Sequence, residues 1–212
     1  PEHFPVRIDW SELAYETNQV SLIHNPIMSP NLEPWILHEL SLLMKQAQEQ
    51  IIVQTPYIVP VPKLNRYVDF SEITVPIEII TNSVSVSPNI FAMAGYTARK
   101  SQITAVVDEI FEYHGKGSMH TKTWVIDRRI SLVGTFNADA RSAFINTESM
   151  VVIDSEAFAA ALLEQVEEQK TQSLAVIEPA LSGPVQARPV PWYYRLFLPI
   201  LVVLLYPFHY LL

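Results

Sequence analysis

The sequence predicts an α/β fold: an α/β/α sandwich on a mixed sheet, followed by an apolar carboxyl-terminal tail. Three observations predict it. Apolar residues recur at helical spacing over 36–47 and again over 156–172. Short β-branched and apolar runs alternate with these stretches, which is the pattern of a layered fold with helices packed on a sheet. Hydrophobic residues make up 49% of the chain, ample for one core, while charged residues are only 17%, low for a fully soluble domain.

Taken in order, residues 1–27 are mixed and read as a linker or edge segment. Ser29-Pro30 is a helix entry, an N-cap followed by proline at the first helical position. Ile36, Leu40, Leu43, Met44 and Ala47 then form one apolar face. Residues 51–57 are a buried-type strand, ended by Pro56, Pro60 and Pro62. A second strand spans 77–81, with a polar loop over 82–87. Ser87-Pro88 repeats the cap-and-proline signal and opens a helix that runs to 107. Strands follow at 110–113, 122–126, 130–135 and 149–154, with turns at 114–118 and at Arg128-Arg129. Ser155 caps a helix over 156–172 that turns Phe158, Leu162 and Val166 inward.

These elements define one domain over 28–174. A Pro-rich stretch over 175–191 reads as a stiff linker. The tail over 192–212 opens with Trp192-Tyr193-Tyr194-Arg195, an interfacial type of flank. It continues as an apolar run of about 17 residues, at the lower limit for spanning a bilayer and weakened by Pro199 and Pro207. The first expectation is insertion at a membrane surface, the second docking on the protein's own core, the third a true span.

Composition excludes several function classes. A net charge of -8 argues against a duplex-DNA surface and against polybasic attraction to anionic lipid. The absence of cysteine excludes disulfides, thiolate metal sites and cysteine nucleophiles. His and carboxylate residues show no metal-ligand spacing, so neither a metal nor a cofactor is expected. The chain starts at Pro1 with no signal-like apolar segment, as expected of a piece of a longer polypeptide.

The chemistry concentrates in His120-x-Lys122, Asp127 and Gly134-Thr135-Phe136-Asn137. Strand alternation puts His120, Lys122, Trp124 and Ile126 on one face and Asp127 on the other. His120 and Lys122 are therefore expected to converge on one small anion, with Asp127 making a structural contact elsewhere. The returning strand is expected to bring Thr135 and Asn137, two neutral donors to phosphate oxygens, beside His120. An imidazole near neutral pH serves as nucleophile or proton carrier. It needs an orienting acceptor, for which Glu148 is the candidate. His114 is expected to be a solvated turn residue, and Lys116, Arg128 and Arg129 exposed charges. Tyr57 and Tyr96 fall in loops near the strand ends, as pocket lining or as core.

This segment resembles the HKD motif of the phospholipase D superfamily, H-x-K-x4-D-x6-G-S-x-N, with Gly134-Thr135 in place of Gly-Ser. Arg141-Ser142 and Asn146-Thr147-Glu148 resemble further elements of that superfamily. Thr55-Pro56-Tyr57-Ile58-Val59-Pro60, Thr81-Asn82-Ser83 and Gly95-Tyr96 resemble its bacterial cardiolipin synthase branch. The resemblance implies catalytic roles for His120, Lys122, Asn137 and Glu148. It implies substrate contacts for Thr135, Tyr57 and Tyr96, and structural roles for Asp127 and Gly134. It also implies a two-step transfer through phosphohistidine on a phospholipid, with membrane association, at the inner membrane of a bacterium. The superfamily's site needs two motifs and this chain holds one. The partner is expected to be a missing amino-terminal half, or else a second copy in a homodimer. Whether His120 is nucleophile or acid stays open. The alternatives are a homodimeric single-motif phosphodiesterase or nuclease, with nucleic acid not favoured, and a non-enzymatic membrane-binding fragment.

Overall fold

The computed structural model describes residues 11, 14–27, 33–60 and 62–205. In chain order the elements are β1 (Gln19–His24), α1 (Trp35–Lys45), β2 (Ile51–Gln54), β3 (Ile58–Val59), β4 (Ile77–Asn82), α2 (Ile90–Ile103), β5 (Glu109–Tyr113) and β6 (Thr123–Ile126). They continue as β7 (Ile130–Gly134), β8 (Ala138–Asp139), α3 (Ala140–Phe144), β9 (Ser149–Asp154), α4 (Glu156–Thr171), β10 (Ser173–Ala175) and α5 (Trp192–Leu204). The main sheet is mixed, in the order β1-β9-β7-β6-β2-β4-β5-β10, and β3 and β8 form a separate two-stranded ribbon. The trio β2, β4 and β5 is parallel, and every other pairing in the main sheet is antiparallel.

Alternation along the strands sorts the core into two layers. Ile51, Val53, Ile77, Ile79, Trp124 and Ile126 face α1 and α2, joining Ile36, Leu40, Met93 and Ile103. On the other face, Ile52, Ile80, Phe111 and Met119 lie under Val166 of α4. Helices therefore cover both sides of the sheet, the α/β/α sandwich expected.

Several element readings need correction. Of the linker and edge readings of 1–27, the edge reading stands: the stretch contains β1, a strand at one edge of the sheet, in register from Gln19 opposite Asp154 to His24 opposite Ser149. The Ser29-Pro30 entry lies outside the described residues; α1 begins at Trp35 after Pro34, with no side-chain cap. Asn89, rather than Ser87, caps α2 through the N–H groups of Phe91 and Ala92. The Ser155 hydroxyl accepts from Phe158 N–H as predicted, but α4 buries Ala159 and Val166 and leaves Phe158 and Leu162 half-buried.

The β6–β7 turn centres on Asp127 and Arg128 rather than Arg128-Arg129. Both have left-handed φ, 53° and 52°. Two consecutive left-handed residues match the right-handed twist of the flanking strands, and Asp tolerates that conformation. The turned Asp127 carboxylate accepts the backbone N–H groups of Gln48 (2.9 Å), Glu49 (2.8 Å) and Gln50 (3.1 Å). It thereby ties the α1–β2 connection to the hairpin, a structural contact away from the phosphate face.

The Pro-rich stretch packs on the domain instead of swinging free. Glu109, only 2% exposed, accepts the N–H groups of Ile110 (2.8 Å), Val176 (3.0 Å), Ile177 (2.8 Å) and Glu178 (2.7 Å). Burial pushes its carboxyl pKa up, but the four backbone donors together hold it below the usual range. Farther on, Arg188 N–H donates to His114 Nδ1 (3.2 Å) and its guanidinium to Gly115 O (2.9 Å). His114 is thus a buried junction rather than a solvated turn residue. Its Nδ1 also meets the Ser83 and Ser85 hydroxyls at 3.3 and 3.1 Å. Burial lowers its pKa against the opposing charge of Glu112.

The described part of the tail is α5, 13 residues with Pro199 inside. It docks through Tyr194, which is 4% exposed and donates its hydroxyl to Ser87 O at 2.8 Å. Trp192, Leu196, Phe197, Ile200, Val203 and Leu204 remain exposed. Among the described residues no helix is long and apolar enough to cross a membrane. Pro207 and the rest of 206–212 lie outside the described residues.

Candidate active site

The carboxyl ends of β2 and β4 and the start of β6 meet at one point, because β6 runs antiparallel to β2 with Thr123 opposite Gln54. Ligands of such sheets bind outside strand ends of this kind. Asn82, the last residue of β4 and fully buried, organises the loop above them. Its amide accepts Met119 N–H at 2.9 Å and donates to Met119 O at 2.9 Å and to Pro56 O at 3.3 Å. The side chain thereby imitates a neighbouring strand and fixes the residue before His120 to the sheet.

His120 and Lys122 both precede β6 proper, which starts at Thr123. Their side chains nevertheless come together. Lys122 Nζ lies 3.2 Å from His120 Nδ1, 3.3 Å from Nε2 and 2.9 Å from the His120 carbonyl oxygen. Lys122 is buried and His120 is exposed. Partial burial of the ring, and then the Lys122 charge, hold the imidazole pKa below its usual value. Burial likewise lowers the Lys122 pKa, opposed by the charges of Glu148 and Asp139. The result is a neutral, accessible imidazole beside a desolvated ammonium. The Tyr57 ring stands edge-on to the imidazole, centroids 6.5 Å apart, and burial followed by the Asp139 charge raises its pKa.

A second cluster stands behind this pair. Ser142 Oγ accepts from Asn137 N–H (3.2 Å) and Nδ2 (3.3 Å), and donates to Glu148 Oε1 (3.1 Å). Glu148 also accepts from Asn146 Nδ2 at 2.9 Å. Asp139 caps α3 by accepting Ser142 N–H at 2.7 Å, and burial raises its carboxyl pKa. Asn137 Oδ1 is buried with no hydrogen-bond partner.

The expected residues therefore separate. His120, Lys122 and Tyr57 are brought together. Glu148 bonds Ser142 and Asn146 rather than the imidazole, and reaches the pair through its charge on Lys122. Thr135 does not join them. Register places Gly134 opposite Lys122, Gly134 N–H reaching Lys122 O at 3.3 Å, so Thr135 falls on the other face. There its hydroxyl accepts Ser149 N–H at 3.1 Å. A Cβ on Gly134 would lie 2.1 Å from Ser149 O, so glycine is what lets β9 close in. Tyr96 is a core residue, 1% exposed, with its hydroxyl on Glu112 at 2.8 Å and its pKa raised by burial; no surface remains for substrate. Asp139 went unnoticed, although an aspartate ahead of a short helix is itself a capping signal, whereas Ser142 belongs to the Arg141-Ser142 pair already singled out.

An accessible imidazole held against a buried lysine at strand ends, on an α/β/α sandwich, is an arrangement chemically able to hold a small anion such as phosphate. Comparison with known proteins makes the class specific. Residues 40–170 match the family described as cardiolipin synthase, PLD-like domain. The chain belongs to that family, within the phospholipase D superfamily. It is 31% identical over 160 residues to cardiolipin synthase A of Cronobacter sakazakii, covering 74% of this chain and 32% of that protein. An uncharacterized protein of Helicobacter pylori is 29% identical over 145 residues, covering 61% and 29%. The chain thus spans about a third of the length of these curated relatives. Among solved structures, phosphatidylserine synthase of Haemophilus influenzae aligns with a TM-score of 0.58 at 16% identity, over 91% of this chain and 48% of that one. The phospholipase D family member Nuc of Salmonella typhimurium aligns at 0.55 and 16%, over 76% and 99%. At that identity the two structures speak for the fold alone.

Proposed function

We propose that this chain supplies one half of a phospholipid-processing active site, in a phosphatidyltransferase or phosphodiesterase of the cardiolipin synthase kind. The observation that carries the reading is the exposed His120 imidazole held 3.2 Å from the amine of buried Lys122. The similarity to cardiolipin synthase A supports the lipid substrate.

In-line displacement at phosphorus needs a nucleophile on one side and an acid on the other. One imidazole cannot fill both positions in a single step. His120 supplies one, and a second histidine from a facing HKD motif supplies the other. In the first step an imidazole nitrogen bonds to phosphorus, the P–O bond to the leaving alcohol breaks, and the opposite imidazolium gives that oxygen its proton. In the second step an incoming alcohol or water attacks phosphorus and the P–N bond breaks. The incoming O–H proton passes to the opposite imidazole, which restores both histidines.

Lys122 stabilises the equatorial oxygens as a point charge. The Asn137 amide, held on Ser142 Oγ through Nδ2, stands with this cluster as a neutral group for the phosphate. Ser142 and Glu148 act as positioning residues for that amide and for Lys122. The facing motif comes from another part of the same protein, in keeping with the share of cardiolipin synthase A that this chain spans. The second reading is a homodimeric phosphodiesterase or nuclease. It is favoured by one observation: the Nuc chain fits almost whole within this one, so a unit of this size can stand alone.

The test is cleavage of dioctanoyl phosphatidylglycerol and of single-stranded DNA by the assembled protein, with sizing in mild detergent. Headgroup release or phosphatidyl transfer with intact DNA supports the lipid reading. DNA cleavage with unchanged lipid by a dimer would refute it in favour of the second reading.

The apolar face of α5, with Trp192 and Tyr193 at its start, is proposed to lie in the headgroup region of a bilayer, the bacterial inner membrane. The helix packs on the domain through Tyr194, whose hydroxyl donates to Ser87 O at 2.8 Å. We expect the chain to float with phosphatidylglycerol/phosphatidylethanolamine liposomes, and the Leu196→Gln/Ile200→Gln variant to stay in the dense fraction. Equal flotation of the two would sink the membrane assignment.

A further inference from the structure

His114 follows the last residue of β5 and is 9% exposed, with the Pro-rich strap laid across it. Its Nδ1 has one lone pair, and three groups converge there: Arg188 N–H at 3.2 Å, Ser83 Oγ at 3.3 Å and Ser85 Oγ at 3.1 Å. The three differ in kind. A backbone N–H only donates, whereas a serine hydroxyl donates or accepts. The Arg188 bond therefore requires a bare Nδ1, with the ring proton on Nε2. Once Nδ1 carries a proton it must donate, and only the serines can receive it. Arg188 N–H then faces another donor.

The strap depends on that one residue over part of its length. Glu109 ties its near end at residues 176–178, and Val190 packs on the main core at its far end. Between Gly183 and Val190, among the described residues, both hydrogen bonds from the strap to the domain belong to Arg188. One reaches His114 Nδ1 and the other, from the guanidinium, reaches Gly115 O at 2.9 Å. Residues 186–189 are exposed. Gly115 opens the loop that runs through Met119 to His120, so the strap closes on the approach to the phosphate site.

We infer that His114 is a pH-operated latch: as a neutral acceptor it holds Arg188 and closes the strap on the loop before His120, and as an imidazolium it turns to Ser83 or Ser85 and lets residues 184–189 lift. The surroundings set its direction. Burial is the larger cause that holds the ring pKa below its usual value; Glu112 of β5 opposes it, and Arg188 of the strap and Lys100 of α2 add to it. Glu112 is already engaged by Lys100 at 2.7 Å and by the Tyr96 hydroxyl at 2.8 Å. The 83–87 loop brings only serines and valines, and the end of α4 only neutral Gln172, whose carbonyl accepts His114 N–H at 2.8 Å. Because the closed form disfavours the protonated ring, closure is fully present above the ordinary histidine pKa of about 6.5. It weakens as pH falls from there through the lower value of the closed form. The guanidinium bond to Gly115 O weakens with it, since a second positive charge now stands beside Arg188.

Amide exchange of Arg188, followed by NMR on the whole chain between pH 8 and 5, reads the latch directly. The Arg188 protection factor is expected to fall roughly tenfold over that range, the worth of one lost hydrogen bond. The fall should share its midpoint with the ring resonances of His114, while amides of β2 keep their protection. His114→Gln, whose amide oxygen accepts at every pH, should flatten the Arg188 profile. Protection that stays constant from pH 8 to 5, or that falls with a midpoint other than that of His114, would overturn the latch. So would an equal fall in a folded His114→Gln variant. The wild-type midpoint decides the matter even where the variant does not fold.

Discussion

His120→Ala is expected to lower kcat/KM for phosphodiester turnover by about 10⁴-fold or more, because it removes a bond-forming or proton-carrying group and not merely a contact. The fold should be indifferent. His120 is exposed, its ring meeting Tyr57 edge-on and the Lys122 amine at 3.2 Å, so the unfolding free energy should change by no more than about 0.5 kcal/mol. Headgroup release by the assembled two-motif protein and urea unfolding of the same sample give the two readings. Turnover that survives the substitution in a folded sample would remove His120 from the chemistry.

Glu109→Ala is expected to cost about 3–5 kcal/mol of stability, the largest effect of any single side chain outside the apolar core. The carboxylate answers four backbone N–H groups; those of Ile110, Ile177 and Glu178 lose this acceptor together, while Val176 N–H keeps the Ile110 carbonyl. The pH dependence has a definite sign. The Glu109 pKa is lower in the folded chain than in the unfolded one. Its stabilisation is therefore fully present above the ordinary glutamate pKa and is lost as pH falls through the folded value. Urea unfolding of wild type and Glu109→Gln should differ most at neutral pH and converge toward pH ~2. A constant gap across that range would rule out the carboxylate as the source.

Periodic signals were legible in the sequence. The helical face of α1, the strand β9 and the Ser155 cap stand where residue spacing puts them. Residues 1–27 stayed open between linker and edge segment although Val20 and Leu22 alternate with polar neighbours, because an edge strand outside the main apolar runs looks like a linker. The convergence of His120 and Lys122 was legible too, since two residues two apart share a direction even ahead of the strand. Thr135 was misplaced because parity across a hairpin depends on register, and register depends on a turn that falls one residue earlier than expected. Glu148 and Tyr96 show a different limit. Which partner a polar atom finds is decided by tertiary neighbours such as Ser142 and Glu112, and spacing along the chain carries no trace of them.

The way Asn82 suspends Met119 has a consequence for folding kinetics. Asn82 belongs to β4, whereas Lys122 leads into β6, and β2 lies between them in the sheet. β2 must pair residue 51 with residue 77 on one side and with residue 126 on the other. Asn82 and Met119 therefore come within reach only after a strand has been inserted between two partners distant in sequence, which is a slow, high-contact-order event. Formation of the Asn82–Met119 contact should accordingly be among the last steps of folding. A kinetic probe on that pair would time the closure of the whole sheet.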